Sequence, residues 1–235
     1  MTSARTPDDR LGAASAPGDL AAVGWCASEV QAELPALRLL SCAVNVRRRG
    51  RLTGDSPPDI EARLRSMSSR VRGGRAVALR REPVPAAYRV FFRQIGMDPD
   101  VERTPIEAAV LERMLRGGFP SGGLLDDVLL IALLDTGVPV WALDAESLQG
   151  PLGIRTSLDG EPLGRSAQSP PLPQGRLVVA DATSALAVLF GDIAPGHAPA
   201  PVSRELTLFA VQVAGVPTLY AEESLWSAQA ALEHQ

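Results

Sequence analysis

Residues 88–161 open with YRVFFRQIGMDPD at 88–100 and close with VPVWALDAESLQGPLGIRTSLDGE at 138–161. The opening piece places apolar side chains on one side of a short amphipathic helix, which we expect to end at Gly96. The closing piece predicts two strands, VWALD and GIRTS, followed by a tight hairpin turn at Asp159-Gly160. Helix and strand signals within one stretch predict an α+β fold.

Two helices are predicted between these pieces. Thr104 is followed by Pro105 and, three residues after the cap, by Glu107, which is the spacing of a capping box at the start of a helix. This helix is expected to run to about Arg116. A Leu-rich helix is expected to follow over residues 123–136.

The N-terminal side of this stretch predicts further strands and helices. Residues 21–27 predict a strand, and Ser28 is expected to cap a short helix. Residues 39–46 predict a second strand. Pro57 and Pro58 stand near the start of a longer helix, and we expect Gly73-Gly74 to end it.

The C-terminal side is richer in strands. Residues 176–181 predict a strand, and residues 185–190 are expected to continue the same sheet. Residues 205–214 fit either a helix or a strand, because their apolar side chains match both spacings. A last helix is expected at about residues 221–232, with Leu225, Trp226 and Leu232 packed against the rest of the protein.

The predicted architecture is an α+β domain with a mixed sheet or β-sandwich and flanking helices. A chain of 235 residues with 46% apolar content can bury one sizeable core. We therefore expect residues 21–235 to form a single domain. Residues 1–20 are expected to be a disordered tail.

Composition also limits the location of the protein and its cofactors. No apolar run approaches the ~18 uninterrupted residues that a membrane span needs, and the N-terminus lacks the apolar core of a secretory signal. The two cysteines, Cys26 and Cys42, do not suggest a disulfide framework, and two histidines are too few for a His-based metal site. We expect a cytoplasmic protein without a membrane segment, metal or cofactor.

The charge is unevenly distributed along the chain. The net charge is −4, but residues 1–120 hold 19 Arg against 14 acidic residues, and residues 121–235 hold 4 Arg against 13. Residues 38–93 alone hold 14 Arg, four of them in the loop 47–51. Such a bias can present contacts to phosphate. All 23 basic residues are Arg, which we attribute mainly to a biased genome.

The usual catalytic and phosphate-binding motifs are absent from the sequence, which contains no nucleophile elbow, P-loop or dinucleotide fingerprint. What remains is an ordered set of short pieces between residues 84 and 190. The set comprises FFR (91–93), Gly96, DP (98–99), RTP (103–105), EA (107–108), Arg113, GFP (118–120), Asp127, GVP (137–139), ALD (142–144), Gly150, Arg155, GE (160–161) and VAD (179–181).

This ordered set resembles the B3/B4 domain of the phenylalanyl-tRNA synthetase beta subunit, in particular the free-standing proteins that carry this domain without a synthetase. The resemblance covers about half of the chain. It implies a B3/B4-type fold and a ligand that is tRNA or aminoacyl-tRNA. In the synthetases the module hydrolyses wrongly charged tyrosyl-tRNA, so the resemblance also implies editing.

Three departures from the synthetase pattern bear on that activity. Trp141 stands where the synthetases have His, and Leu130 stands where they have Asn. Residues 189–192 replace the Gly-rich segment that supplies a Glu for the tyrosine hydroxyl. A site that pairs a hydroxyl needs a polar partner, so these departures count against tyrosine-specific proofreading. Deacylation through a positioned water and oxyanion donors stays open.

Eight residues are candidates for contacts with tRNA or substrate, and no residue is assigned a catalytic role. Trp141 fits a stacking platform for a terminal adenine or a place in the core. The carboxylates fit either the lining of a cleft or the fixing of local backbone, and the arginines fit either phosphate contacts or a solvated surface. The candidates are Arg93, Arg103, Arg113, Trp141, Asp144, Arg155, Glu161 and Asp181.

Three functions are consistent with the sequence. The first is a stand-alone tRNA-binding module that removes mischarged amino acids in trans. The second is an amino-acid-binding module on the same fold, with an apolar pocket near Trp141. The third is a domain that binds a protein partner, which the acidic C-terminal half favours because proteins that mainly bind phosphate are usually basic.

Overall fold

The computed structural model describes residues 21–46, 52–71, 73–166, 169 and 171–234. This part of the chain contains seven α-helices and two four-stranded sheets, so the predicted α+β class is confirmed. The helices are α1 (Ser28–Glu33), α2 (Pro58–Arg70), α3 (Gly73–Leu79), α4 (Pro83–Gln94), α5 (Pro105–Arg116), α6 (Leu124–Thr136) and α7 (Thr218–Glu233). The strands are β1 (Ala22–Val23), β2 (Trp25–Cys26), β3 (Arg38–Asn45), β4 (Val140–Asp144), β5 (Gly153–Thr156), β6 (Leu177–Ala180), β7 (Ala185–Val188) and β8 (Glu205–Gln212).

The first sheet has the strand order β1-β3-β8-β4, with every neighbouring pair antiparallel. Helix α7 packs against β3, β8 and α6. It does so through small and apolar side chains such as Ala221, Leu225 and Leu232, which are buried. In the register of the central pair, Phe209 of β8 lies opposite Ser41 of β3 and opposite Trp141 of β4.

The second sheet has the order β2-β5-β6-β7 and is mixed, because β2 runs parallel to β5 and the other pairs are antiparallel. Ile154 and Val179 face the main core. The other face holds Val178 and Ala180, which form a small cluster with Ala185, and Leu163 packs against this cluster. Alternation of side chains along each strand separates the two faces.

Gly24 carries the chain from the first sheet to the second. Its N–H donates to the Leu39 carbonyl at 2.8 Å, and the next N–H, of Trp25, donates to the Leu152 carbonyl at 3.1 Å. A Cβ at position 24 would lie 2.5 Å from the Leu152 carbonyl oxygen. Only glycine lets the backbones of the two sheets come this close.

The main core lies between the sheets and the helices that flank them. Helix α4 contributes Tyr88 and Phe92, each about 1% exposed. The Tyr88 hydroxyl donates to the Val211 carbonyl at 2.8 Å, so its one polar group is satisfied within the core. Full burial of side chains of this size contributes roughly 1.5–3 kcal/mol each. This helix therefore holds its aromatic side chains firmly in the core.

Several predicted elements are confirmed. Thr104 and Glu107 form the capping box at the start of α5, with the Thr104 hydroxyl donating to the Glu107 carboxylate at 2.8 Å. The Leu-rich helix and the VWALD strand lie where the sequence places them, as α6 and β4. The ambiguous segment 205–214 forms the central strand β8, which is paired on both sides.

Other predictions were wrong. Gly73 begins α3, a helix that the sequence analysis did not identify. Asp159-Gly160 is a turn, but it is not a tight hairpin turn, because residues 157–176 separate β5 from its partner β6. Leu225 and Leu232 of the last helix are buried as predicted, but Trp226 is 37% exposed. Ser28 does not cap α1, whose N-cap residue is Ala27.

The predicted tail at residues 1–20 and the Arg-rich loop at residues 47–51 lie outside the described residues. Among the helices of the described part of the chain, none is long and apolar enough to cross a membrane.

Candidate functional site

Phe190 lies at the centre of a cluster of aromatic rings. Its ring centroid is 5.7 Å from that of Tyr88, 5.8 Å from that of Phe91 and 5.2 Å from that of Phe92, all on α4. It is also 5.6 Å from Trp141 on β4, in an edge-on arrangement. Aromatic pairs at these separations attract one another beyond the effect of burial. The cluster therefore ties the turn after β7 to α4 and to the first sheet.

Trp141 is held on two sides by this cluster. Its indole stacks on Phe209 with centroids 5.5 Å apart and planes 14° apart, and its edge meets Phe190. Rings therefore occupy the space next to Trp141 where the sequence suggested an apolar pocket. This packing favours the core interpretation of Trp141 over a platform for a terminal adenine.

The backbone of Phe190 is left-handed, with φ of 60°. It is the one residue other than glycine with a positive φ in the described part of the chain. The conformation belongs to a tight turn in which the Gly191 N–H donates to the Val188 carbonyl at 2.9 Å. A left-handed conformation costs an L-residue roughly 1–2 kcal/mol. Packing of the Phe190 ring against four aromatic side chains offsets that cost and holds the residue in this conformation.

A cavity of about 450 Å³ opens beside this turn. It lies between α1, the C-terminal end of α4 and the turn 173–176, and Leu189, the neighbour of Phe190, contributes to its wall. Sites for small ligands usually occupy about 300–1,000 Å³. The lining residues are Glu29, Val30, Glu33, Leu34, Gln94, Ile95, Met97, Thr156, Pro173, Gln174, Gly175, Arg176, Leu177 and Leu189.

Charged groups from two separate segments of the chain line this cavity. Glu29 and Glu33 lie on α1, and Arg176 lies on the turn before β6. Within the described residues none of the three has an ion-pair partner. None of these residues is predicted as a site from the sequence, because a Glu-x-x-x-Glu spacing on a six-residue helix is an ordinary surface pattern.

Arg155 and Glu161, both predicted site residues, bind each other. Two hydrogen bonds join the guanidinium to the carboxylate, one of them 2.7 Å long, and the side chains are 18% and 12% exposed. The Leu158 N–H also donates to Glu161, at 2.9 Å. The hydrogen bond from Arg155 lowers the pKa of Glu161 below its ordinary value, although burial opposes the shift. The pair fixes the segment that covers the second sheet.

Asp181 organises the loop after β6. Its fully buried carboxylate accepts hydrogen bonds from the N–H groups of Gln149, Thr183 and Ser184 and from Arg165 at 3.0 Å. Burial alone would raise the pKa of Asp181, but these hydrogen bonds outweigh it and lower the pKa. The three backbone N–H donors show that Asp181 fixes the local backbone, which is one of the two roles expected from the sequence.

Asp144 has a similar role at the end of β4. It accepts a hydrogen bond from the Glu146 N–H at 3.1 Å, which starts a short 3-10 helix, and another from the Ser203 hydroxyl. Its own N–H donates to the His197 carbonyl at 2.9 Å. Asp144 thereby joins the edge of the first sheet to the Pro-rich loop at residues 191–201, which contains His197.

His197 is buried in this loop, and its Nδ1 lies 3.0 Å from the Ser147 hydroxyl. The Ser147 hydroxyl donates to the Asp144 carbonyl at 2.7 Å. Ser147 therefore accepts from His197, which is the wrong direction for a serine activated by a base. Burial, then the charge of Arg165, lowers the pKa of His197. Within the described residues no group of three or more metal-ligating side chains occurs.

The three arginines predicted as site residues make different contacts. Arg113 donates twice to the Ser68 carbonyl, at 2.6 and 3.2 Å, near the end of α2. Arg93 is exposed and lies 4.0 Å from Asp100. Arg103 is exposed and, among the described residues, has no ion-pair partner. Of the three, Arg103 is therefore the most available to a phosphate.

Arg89 was missed by the sequence analysis. It is nearly buried and donates to Glu107 at 2.7 Å and to Asp100 at 2.8 Å. The hydrogen bond to Asp100 raises the pKa of Arg89 further, despite its burial. Its position between Tyr88 and Val90 on an amphipathic helix gives no signal that it lies on the buried side.

Asp127 matched the resemblance set and was not proposed as a site. Its carboxylate is buried and accepts hydrogen bonds from the Ser56 hydroxyl at 2.6 Å, the Ser121 hydroxyl and the Gly122 N–H. It holds the loop before α6 against the start of α2. This is a structural role with every oxygen satisfied by the protein.

No family model matches the chain. Part of it is similar to the phenylalanine–tRNA ligase beta subunit of several bacteria. It is 36% identical over 94 residues to that of Xanthomonas axonopodis pv. citri (strain 306), covering 40% of this chain and 12% of the relative. It is 37% identical over 101 residues to that of Xanthomonas oryzae pv. oryzae (strain MAFF 311018), covering 42% and 12%. The protein from Xylella fastidiosa (strain Temecula1 / ATCC 700964) is 37% identical over 86 residues, covering 37% and 10%.

The chain therefore contains a segment related to the ligase beta subunit. This segment spans about a tenth of the length of these relatives.

Proposed function

We propose that this chain is a free-standing module of the B3/B4 type that binds tRNA through its aminoacylated end, with the cavity between α1 and α4 as the site for the amino acid. The observation that carries the proposal is the similarity of 40% of the chain to the beta subunit of an enzyme named for joining phenylalanine to tRNA. The cavity supports it, since its volume of about 450 Å³ suits an amino acid.

Binding, rather than hydrolysis, is the activity we propose. Deacylation needs a positioned water and donors aimed at the developing oxyanion. Trp141 stands where the synthetases carry His, and its described ring neighbours, Phe190 and Phe209, are aromatic. The phenyl rings of Phe190 and Phe209 provide neither a base nor an oxyanion donor beside Trp141.

Contacts to phosphate would come from exposed arginines of the basic half. Arg38, Arg70, Arg81 and Arg103 are exposed and, within the described residues, have no ion pair. Each phosphate neutralised gives a salt-dependence slope of about −0.7 to −0.9 in log K against log salt. The net charge of −4 predicts weak binding that salt easily disrupts.

The test is fluorescence anisotropy with labelled tRNA at low salt and at increasing salt. We expect a complex at low salt, lost as salt rises. The variant Arg103→Gln should reduce the steepness of the salt dependence by about one phosphate contact without changing thermal stability. No complex with charged or uncharged tRNA at the lowest salt would refute the proposal.

A second candidate function is the binding of a free amino acid on the same fold. The presence of both Glu29 and Arg176 in the lining of the cavity favours it, because a free amino acid carries both an ammonium and a carboxylate. A ligand at a hundred times its Kd stabilises a protein by about 2.7 kcal/mol. This candidate replaces the first if the Tm rises with a free amino acid while tRNA neither binds nor changes the Tm.

A further inference from the structure

We infer that this chain pairs with a second copy of itself, and that helices α3 and α5 of each copy dock onto helix α7 of the other. This surface, the α3–α5–α7 face, runs from Val77 on α3 and Leu115 on α5 to Trp226 on α7. It has a basic end and an acidic end. In the dimer the basic end of each copy meets the acidic end of the other.

The first support is the concentration of exposed apolar side chains on these three helices. Among the described residues, seven of the thirteen large apolar side chains that are exposed lie on α3, α5 and α7. Leu115 is 78% exposed, and Val77 and Leu219 are 68% and 62% exposed. Clustered apolar exposure of this kind marks surfaces that other proteins cover. The other four side chains are Leu111, Met114, Tyr220 and Trp226.

Two neighbouring cavities make these helices one surface. The α3–α5 cavity, of about 310 Å³, has Val77, Leu111 and Met114 in its wall. A second cavity, of about 450 Å³, lies between the end of α2 and the starts of α4 and α7, and Tyr220 contributes to its wall. Leu79 lines both cavities, so they lie side by side. The face is therefore continuous from α5 through α3 to the start of α7.

The α3–α5 cavity forms the basic end of the face. It is lined by the guanidinium groups of Arg80 and Arg103 and by one carboxylate, that of Glu107, which is buried. Arg103 and Arg81, the residue after Arg80, are exposed and have no ion pair in the described ranges. These two arginines are free to pair with carboxylates of another molecule.

Helix α7 forms the acidic end. Leu219, Glu223 and Trp226 are exposed and recur at helical spacing along its outer side. Glu222 adds a second carboxylate, and across the described part of the chain neither glutamate takes part in an ion pair. An acidic amphipathic helix complements a basic apolar groove. One chain therefore provides both the groove and a helix that fits it.

A second copy covers the whole face, which other occupants do not. A foreign acidic helix in the α3–α5 cavity would leave Leu219 and Trp226 in water, and Glu223 would repel the phosphates of a nucleic acid. A two-fold axis through the middle of the face places each α3–α5 cavity on the α7 of the other copy, which is the isologous arrangement of most dimers. The Trp, Tyr, Met and Arg side chains of the face are of the types enriched in protein interfaces.

Sedimentation velocity of the 235-residue chain at increasing micromolar concentration tests the inference. The protein is first freed of nucleic acid, because Arg81 and Arg103 are also proposed contacts to phosphate. We expect the mass to rise from that of one chain to that of two and to stop there, since an isologous contact closes on itself.

Charge reversal at either end should separate the copies. Glu222→Arg/Glu223→Arg and Arg81→Glu/Arg103→Glu should each weaken association about tenfold or more, because like charges then meet at both contacts of the dimer. An equal mixture of the two variants should associate like the wild type. In the mixed dimer each α3–α5 cavity again meets an α7 of opposite charge.

The matched control is Glu146→Arg/Asp159→Arg, which makes the same change in net charge as the α7 variant at exposed residues outside the face. It should associate like the wild type. Leu115→Gln should weaken association at an unchanged Tm, because Leu115 lies outside the core.

Five results would overturn the inference. They are a wild type that stays at the mass of one chain, assemblies that grow beyond two chains, a mixture that associates no better than its separate variants, a control that loses association, and a Leu115→Gln variant that associates like the wild type.

Discussion

Replacement of Phe190 tests how the left-handed turn is held next to Trp141. The ring contacts four aromatic side chains, and φ is 60°. Truncation of a fully buried Phe to Ala costs about 3–5 kcal/mol, so we expect about 2–3 kcal/mol for this half-buried ring. Ala keeps the left-handed strain of roughly 1–2 kcal/mol, whereas Gly does not.

Phe190→Gly should therefore be more stable than Phe190→Ala. Relative to Ala, Gly loses about 0.4–1 kcal/mol of stability, because its unfolded chain has greater conformational freedom. The Gly variant therefore keeps a net advantage in stability of roughly 0.5–1 kcal/mol over the Ala variant. This order reverses the usual one. The assay is urea unfolding, followed by tryptophan fluorescence and by circular dichroism, with the free energy of unfolding taken by linear extrapolation.

The matched control is the pair Ile193→Ala and Ile193→Gly. Ile193 is also half-buried and packs on the same core, but its φ is not positive. There the Ala variant should be the more stable of the two. The reasoning is refuted if Phe190→Ala exceeds Phe190→Gly in stability by the margin seen at position 193, or if both Phe190 variants unfold like the wild type.

Three further substitutions test the structural roles of residues around the site. Glu161→Gln should cost about 2–3 kcal/mol, because it leaves Arg155 nearly buried and unpaired, and a buried pair broken on one side costs ~3–5 kcal/mol. The pKa of Glu161 is lower in the folded protein than in the unfolded chain, so its contribution to stability is present above the unfolded pKa and is lost as pH falls through the folded pKa. If the free energy of unfolding of the variant falls with acid as steeply as that of the wild type, this expectation is contradicted. Gly153→Ala should lower the Tm by several degrees and shift the fluorescence of Trp25, because a Cβ there overlaps the indole ring; a wild-type Tm would contradict the contact. Arg113→Gln should cost about 1–3 kcal/mol in urea unfolding, since it removes both hydrogen bonds at the end of α2, and full stability would place this side chain on the solvated surface instead.

Local signals account for the elements that the sequence predicts well. The capping box at Thr104 and Glu107 depends on residues three apart, and the Leu-rich helix α6 depends on composition within one segment. The strand VWALD is apolar and follows a Gly-Val-Pro turn. In each case the residues that decide the structure are neighbours in the chain.

The candidate site depends on contacts that no local pattern reports. Phe190 meets side chains of α4 about a hundred residues earlier in the chain, and Arg113 binds a carbonyl in α2. The segment 205–214 shows both apolar spacings, and pairing with β3 and β4 on its two sides decides that it is a strand. Tertiary pairing therefore settles what periodicity leaves open.

The carboxylates illustrate the same limit. Asp144, Glu161 and Asp181 each follow a strand or a turn, which is where both cleft residues and loop-fixing residues occur. Their hydrogen bonds distinguish the two roles, since each carboxylate accepts from the backbone of its own loop. The cavity beside α1 combines residues from five separate stretches of the chain, so it appears only when the chain is folded.

The most direct measurement is nitrocellulose filter binding at low salt, with tRNA charged with radiolabelled phenylalanine or tyrosine. Label in the amino acid stays on the filter only if the protein binds the tRNA and the ester survives. We predict saturable retention of label, an ester half-life at saturating protein no shorter than in buffer alone, and weaker competition by deacylated tRNA than by charged tRNA. Absence of retention, or loss of label faster than in buffer, would contradict a module that binds aminoacyl-tRNA without hydrolysing it.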